Sequence, residues 1–117
     1  MITRTGPYAG LLHEVVEYKG VLYFGGVVAE DLTLDIAGQT TDVLRQVDQL
    51  LALHGSDRTR ILSALLFIPD LALRPALNEI WKDWFAAEHL PARASIGVSD
   101  LGPGVLLEGI FTAASGP

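Results

Sequence analysis

The sequence predicts an α+β fold, a mixed β-sheet with two helices packed on one face. Three observations carry this expectation. β-branched and aromatic stretches lie toward both ends of the chain, two segments between them carry apolar residues at helical spacing, and a continuous apolar run, Ile61 to Ile68, separates those two segments.

The first strand is expected over His13 to Tyr18, where Val15 and Val16 precede a Lys19-Gly20 turn signal. The second resumes over Val21 to Ala29, so the pair reads as a hairpin. Gly25-Gly26 inside the second strand marks a bulge or a close approach of a ligand or another backbone. From Asp35 the period changes: Ile36, Val43, Leu44, Val47, Leu50 and Leu51 fall on one helical face. Asp35 is the candidate N-cap and His54-Gly55 the stop. Ile61 to Ile68 is expected to be a strand buried on both faces, ended by Pro69-Asp70.

A second helix follows, with Pro75 in its first turn and Leu77, Ile80, Trp81, Trp84 and Phe85 as its apolar stripe. The two tryptophans read as packing residues, one facing the core and the other near the helix flank. Arg93 to Val98 and Val105 to Ala113 are the last two strands, with Gly102-Pro103-Gly104 as the turn between them. No repeat or low-complexity linker interrupts the chain, so residues 1–117 are expected to form a single domain.

Half of the residues are apolar and the mean hydropathy is +0.36, high for a small soluble monomer. The densest apolar run is far shorter than the ~20 residues of a membrane-spanning helix. The surplus apolar surface therefore points to a subunit interface. A net charge of -6 with scattered basic residues argues against a nucleic-acid footprint. The absence of cysteine excludes disulfides and thiol chemistry. The N-terminus lacks the apolar core of a signal peptide, and a cytoplasmic location is expected.

Familiar catalytic signatures are near misses. His13-Glu14-Val15-Val16-Glu17 has Glu where a zinc-peptidase helix needs its second His. His54 and His89 have no ligand spacing to it, so no metal site is expected. Gly97-Val98-Ser99-Asp100-Leu101 lacks the closing glycine of a nucleophile elbow, and Gly102-Pro103-Gly104 lacks a dinucleotide fingerprint's third glycine.

Two residues stand out instead. Arg93, in Pro91-Ala92-Arg93-Ala94-Ser95, offers a planar fork for a carboxylate. Glu108 lies fifteen residues on, in an otherwise apolar stretch, where a carboxylate can orient or deprotonate water. Whether the two share a face depends on the register of the last two strands, which the link from Asp100 to Gly104 does not fix.

At these residues the chain resembles the RidA (YjgF/YER057c/UK114) family, whose members act on reactive enamines and imines. The resemblance runs through Gly25-Gly26, Gln39, the helix end Leu50-Leu51-Ala52-Leu53-His54-Gly55, Asp70, Asn78, Trp84-Phe85, Pro91-Ala92-Arg93, Leu101 and Glu108. It implies a chorismate-mutase-like fold and a homotrimer whose sheets close into a central barrel, with a ligand site in each cleft between neighbours. The matching Arg93 would hold the substrate carboxylate, and the matching Glu108 would orient water for attack on the imine carbon. Hydrolysis then releases ammonia and a 2-keto acid without a cofactor. Gly25, Gly26, Asn78 and Ser95 match family positions near the site.

The chain also departs from the pattern of the best-known deaminases. Gly25 stands where they have Ser, and Ser95 where they have Cys. Their early tyrosine corresponds to Tyr8, or in a shorter spacing to Leu12 or His13. The leading expectation is an enamine/imine deaminase acting on 2-imino acids. The alternatives are a non-catalytic module binding a small carboxylate or keto acid and, more weakly, an endoribonuclease or a chaperone.

Overall fold

A computed structural model describes residues 1–117. Seven strands form one sheet: β1 (Thr3–Tyr8), β2 (Leu12–Tyr18), β3 (Val21–Phe24), β4 (Val27–Val28), β5 (Ile61–Ile68), β6 (Ala92–Gly97) and β7 (Glu108–Ala114). Their order is β1-β2-β3-β7-β5-β6, with β4 also paired to β7. Only β5 and β6 run parallel. The helices are α1 (Ile36–Leu53) and α2 (Arg74–Trp84).

Helix α1 begins where the sequence indicates. The Asp35 carboxylate accepts the Gly38 N–H at 2.9 Å, and Gly55 at φ +66° closes the far end beyond His54. Val43, Leu44, Val47 and Leu51 are buried against Val15, Leu22, Leu66 and Phe111 of the sheet. Each such side chain contributes roughly 1.5–3 kcal/mol by leaving water. Helix α2 starts with Pro75 in its first turn and buries Leu77 and Trp81, with Phe85 just beyond its end. The Trp81 ring stacks at 6.4 Å on Phe111, which ties α2 to β7. Trp84 sits at the flank, half-buried under the Arg58 guanidinium, which lies 4.1 Å from its ring centroid. Neither helix is long and apolar enough to cross a membrane.

Four details differ from the sequence expectation. Thr3–Tyr8 is an additional strand, paired to β2 as Thr5↔Val15 and Pro7↔His13. Its position at the sheet edge tolerates Pro7. The expected Val21–Ala29 strand is split at Gly25-Gly26 into β3 and β4. Strand β5 is not buried on both faces: Ala64, Leu66 and Ile68 face the helices, whereas Leu62 and Leu65 are exposed.

Finally, the last two strands are not a hairpin. β5 lies between them, parallel to β6 and antiparallel to β7. The β5-α2-β6 segment is a crossover unit, and a helix-length connection is what a parallel pair requires. The face away from the helices carries Tyr23, Leu65, Ile96 and Ile110, each more than a third exposed.

Candidate functional site

The shared neighbour β5 places Arg93 and Glu108. Arg93 is registered against Ala64, on the helix-covered face, and Glu108 against Phe67, on the open face. One chain therefore does not bring the two side chains together. Each instead anchors a separate half-site.

The first half-site lies between β6 and α2. The Arg93 Nη2 donates to Asn78 Oδ1 at 2.6 Å and to Ser95 Oγ at 3.1 Å. Ser95 shares the face of Arg93 because it is two residues along the strand. The guanidinium also sits 5.1 Å from the centroid of Trp81. Pro75, Leu90 and Pro91 complete a shallow cleft around it, with the Lys82–Glu79 ion pair, 3.1 Å apart, on its rim. Arg93 forms no ion pair with any carboxylate of the chain. Partial burial, reinforced by the nearby Arg74 guanidinium, holds its pKa below the ordinary arginine value. This cation is partly desolvated and met only by neutral acceptors, with Nε and Nη1 left free.

The second half-site lies where β3 gives way to β4. Glu108 opens β7 opposite Val28, and its carboxylate lies over Gly26, where any Cβ would collide with it. Neither Gly25 nor Gly26 has a positive φ, so at Gly26 the requirement is space rather than backbone freedom. Gly25 N–H donates to Glu14 O at 2.9 Å, holding the break against β2. A cavity of about 500 Å³ adjoins the two glycines, lined also by Tyr8, Leu12, Glu14 and Gln46. Tyr8 and Leu12 are direct cross-strand partners at the end of the β1–β2 hairpin. His13, paired with Pro7, does not line this cavity.

Trp81 belongs to the first half-site although its sequence context reads as core. The available signal was its spacing, three residues after Asn78 on one helix face. Tyr8, Leu12 and Glu14 reach the second cavity through the pairing of β1 with β2, for which the sequence gives no periodic sign. No three His, Asp or Glu side chains are placed to hold a metal ion. The His54 ring is engaged with Leu50 O at 2.9 Å and Thr5 Oγ1 at 3.2 Å.

The family model described as "Endoribonuclease L-PSP" matches residues 1–115. The chain belongs to this family, that of the YjgF/RutC and Rid proteins. A RutC family protein of Haemophilus ducreyi is 35% identical over 114 residues, covering 97% of each chain. A crystal structure of NMB1025, a YjgF family member from Neisseria meningitidis, superposes with a TM-score of 0.92 at 32% identity, covering 98% of this chain and 95% of the other. The chloroplastic Reactive Intermediate Deaminase A of Arabidopsis thaliana is 28% identical over 98 residues, covering 82% of this chain and 52% of the other. This Rid-family chain thus shares its whole architecture with solved relatives.

Proposed function

We propose that the protein hydrolyses 2-imino acids to 2-keto acids and ammonia, at a site assembled from the Arg93 half of one protomer and the Glu108 half of its neighbour. The observation that carries this reading is the half-buried Arg93 guanidinium, which no carboxylate of its own chain neutralises. Holding a partly desolvated cation against neutral groups carries a cost that an arriving anion offsets by pairing with it. A small carboxylate fits that role, because guanidinium–carboxylate pairs are strong and directional.

The opposite faces of Arg93 and Glu108 support an intersubunit arrangement, and the apolar open face supports a homotrimer that buries it. Arg93 would fix the substrate carboxylate, placing the imine carbon near Glu108 of the neighbour. Glu108 accepts a proton as water adds to that carbon, giving a carbinolamine. That proton passes to nitrogen, Glu108 takes the hydroxyl proton as the C–N bond breaks and the carbonyl forms, and the products are the 2-keto acid and ammonia. The name of the Arabidopsis relative agrees with this chemistry. The endoribonuclease description has less support, since the chain carries a net charge of -6 and its unpaired cations, among them Arg4 and Lys19 near the first strands and Arg93 beside α2, are scattered rather than gathered into a basic groove.

The test is keto-acid release from imines generated in situ by an amino-acid oxidase. Wild-type protein should accelerate release and Arg93→Ala should not; full activity in Arg93→Ala would overturn the reading. A second reading, carboxylate binding without turnover, is favoured by the completeness of the Arg93 half-site within one chain. It predicts ligand-induced thermal stabilisation that survives Glu108→Gln, with no imine hydrolysis by the wild type.

A further inference from the structure

Gln39, near the start of α1, is fully buried and carries an amide into the interior of the chain. Every group of that amide is used. Its Nε2 donates to Leu34 O at 3.0 Å and to Gly104 O at 2.9 Å, and its Oε1 accepts the Leu106 N–H at 3.0 Å. A buried amide without partners is costly, whereas one with all of them in place specifies a single arrangement. Here the arrangement joins the turn before α1 to the segment that leads into β7. Gly104, at φ +78°, packs against the same turn, where an added Cβ would lie 3.2 Å from Leu32 Cβ and 3.3 Å from Leu32 O.

Residues 98–107 form neither strand nor helix. The hydrogen bonds made within this segment are local, from Gly102 N–H to Asp100 Oδ1 at 2.8 Å and from Val105 N–H to Gly102 O at 3.2 Å. Glu108 follows Leu106 by two residues and opens β7, registered on Val28 of the two-residue β4 and on Phe67 of β5. The ladder thus holds Glu108 from its C-terminal side, and Gln39 holds the chain that enters it. The Arg93 half-site does not depend on this tether, because Asn78 and Ser95 hold the guanidinium on the other face of the sheet.

Resting on the deaminase reading, we propose that Gln39 is a positioning residue for Glu108. It touches no substrate. It fixes the entry to β7, so that the carboxylate stays over Gly26 and within reach of the water that adds to the imine carbon. Displacing a catalytic group by about 1 Å costs on the order of 10²-fold in rate, so the effect belongs in kcat.

Gln39→Met keeps the length of the side chain and removes its donors and acceptor. The variant should remain trimeric by light scattering, with kcat for imine hydrolysis lowered roughly 10- to 100-fold. Its affinity for 2-oxobutyrate, measured by calorimetry, should change by less than about twofold, since Arg93 is undisturbed. Gly26→Ala displaces the same carboxylate, so the two losses should not multiply: the double variant should lie within about threefold of Gly26→Ala alone. Gly104→Ala disturbs the tethered segment from its exposed side and should give the same pattern; it decides the question if Gln39→Met does not fold. Wild-type kcat in the folded variant overturns the proposal. So do losses that multiply with Gly26→Ala, or a loss of 2-oxobutyrate affinity equal to the loss in kcat. A wild type that hydrolyses no imine sinks the deaminase reading and the positioning role together, whereas an active wild type matched by Gln39→Met removes the positioning role alone.

Discussion

Arg93 and Glu108 are both registered on β5, three residues apart along that strand, and therefore project from opposite faces of the sheet. A site that uses both must draw them from different protomers. This yields a complementation test. Arg93→Ala and Glu108→Ala are each expected to be inactive, yet denaturing and refolding them together in equal amounts should restore activity. With random assortment, roughly a quarter of all sites in the refolded population receive an intact arginine from one subunit and an intact glutamate from the next. Activity that stays at the level of the separate variants would mean that the two residues do not act in one cleft.

Gly26 and Gly25 are predicted to respond differently to substitution. A methyl group on Gly26 runs into the Glu108 carboxylate, which is the flexible end of a side chain and can swing aside. Gly26→Ala should leave the melting temperature nearly unchanged while lowering kcat by about 10²-fold, the scale of a displaced catalytic group. At Gly25 an added Cβ meets the His13 carbonyl oxygen at 3.4 Å and Glu14 O and Leu12 Cδ1 at 3.9 Å, all ordinary contacts. Gly25→Ser should therefore fold normally and retain far more activity than Gly26→Ala. Equal activity in the two variants would remove the steric account of Glu108 placement.

Helix α1 was legible in the sequence because independent signals agreed: the Asp35 cap, the stripe from Ile36 to Leu51 and the glycine after His54. Strand β1 was not, since Thr3-Arg4-Thr5-Gly6-Pro7 has no apolar alternation and is ordered only by pairing with β2. Gly102-Pro103-Gly104 suggested a hairpin, but a turn signal does not choose the strand's partner. That choice was made by the α2 crossover, which lays β6 parallel to β5 and leaves the other side of β5 to β7. The chemical types at Arg93 and Glu108 were readable for the same reason that their faces were not. Side-chain chemistry belongs to the residue, whereas orientation belongs to a register fixed across the sheet.

Asp42 links α1 to the second half-site and should dominate its acid sensitivity. Its carboxylate accepts from Glu30 N–H at 2.6 Å, from the Arg45 guanidinium and from Gln46 Nε2 at 3.3 Å; Gln46 also donates to Val28 O at 2.9 Å, beside Gly26. Burial alone would raise the pKa of Asp42, but the Glu30 N–H, Arg45 and Gln46 outweigh it and hold the value below the ordinary carboxylate range. The folded state therefore favours the ionised form. The resulting stability is fully present above the unfolded value of about 3.9 and is lost as pH falls through the folded pKa. Asp42→Asn is expected to cost about 1–3 kcal/mol at pH 7 in urea unfolding, with the deficit shrinking toward pH 3. A deficit that is constant with pH would assign the loss to shape rather than to charge.

The open face of the sheet should carry the oligomer. Leu65 lies at its centre, flanked by Ala94 on β6 and Ile110 on β7, and is 41% exposed in the isolated chain. Because Leu65 is not part of the core beneath the helices, Leu65→Lys should leave the single chain folded, with unchanged far-ultraviolet circular dichroism. Burying three ammonium groups around the axis of a closed barrel is strongly unfavourable, so light scattering should report the mass of one chain instead of three. Hydrolysis should fall with the assembly, since each cleft then lacks its second half. A variant that remains trimeric would place the interface on another surface, and a fully active monomer would show that one chain suffices for the chemistry.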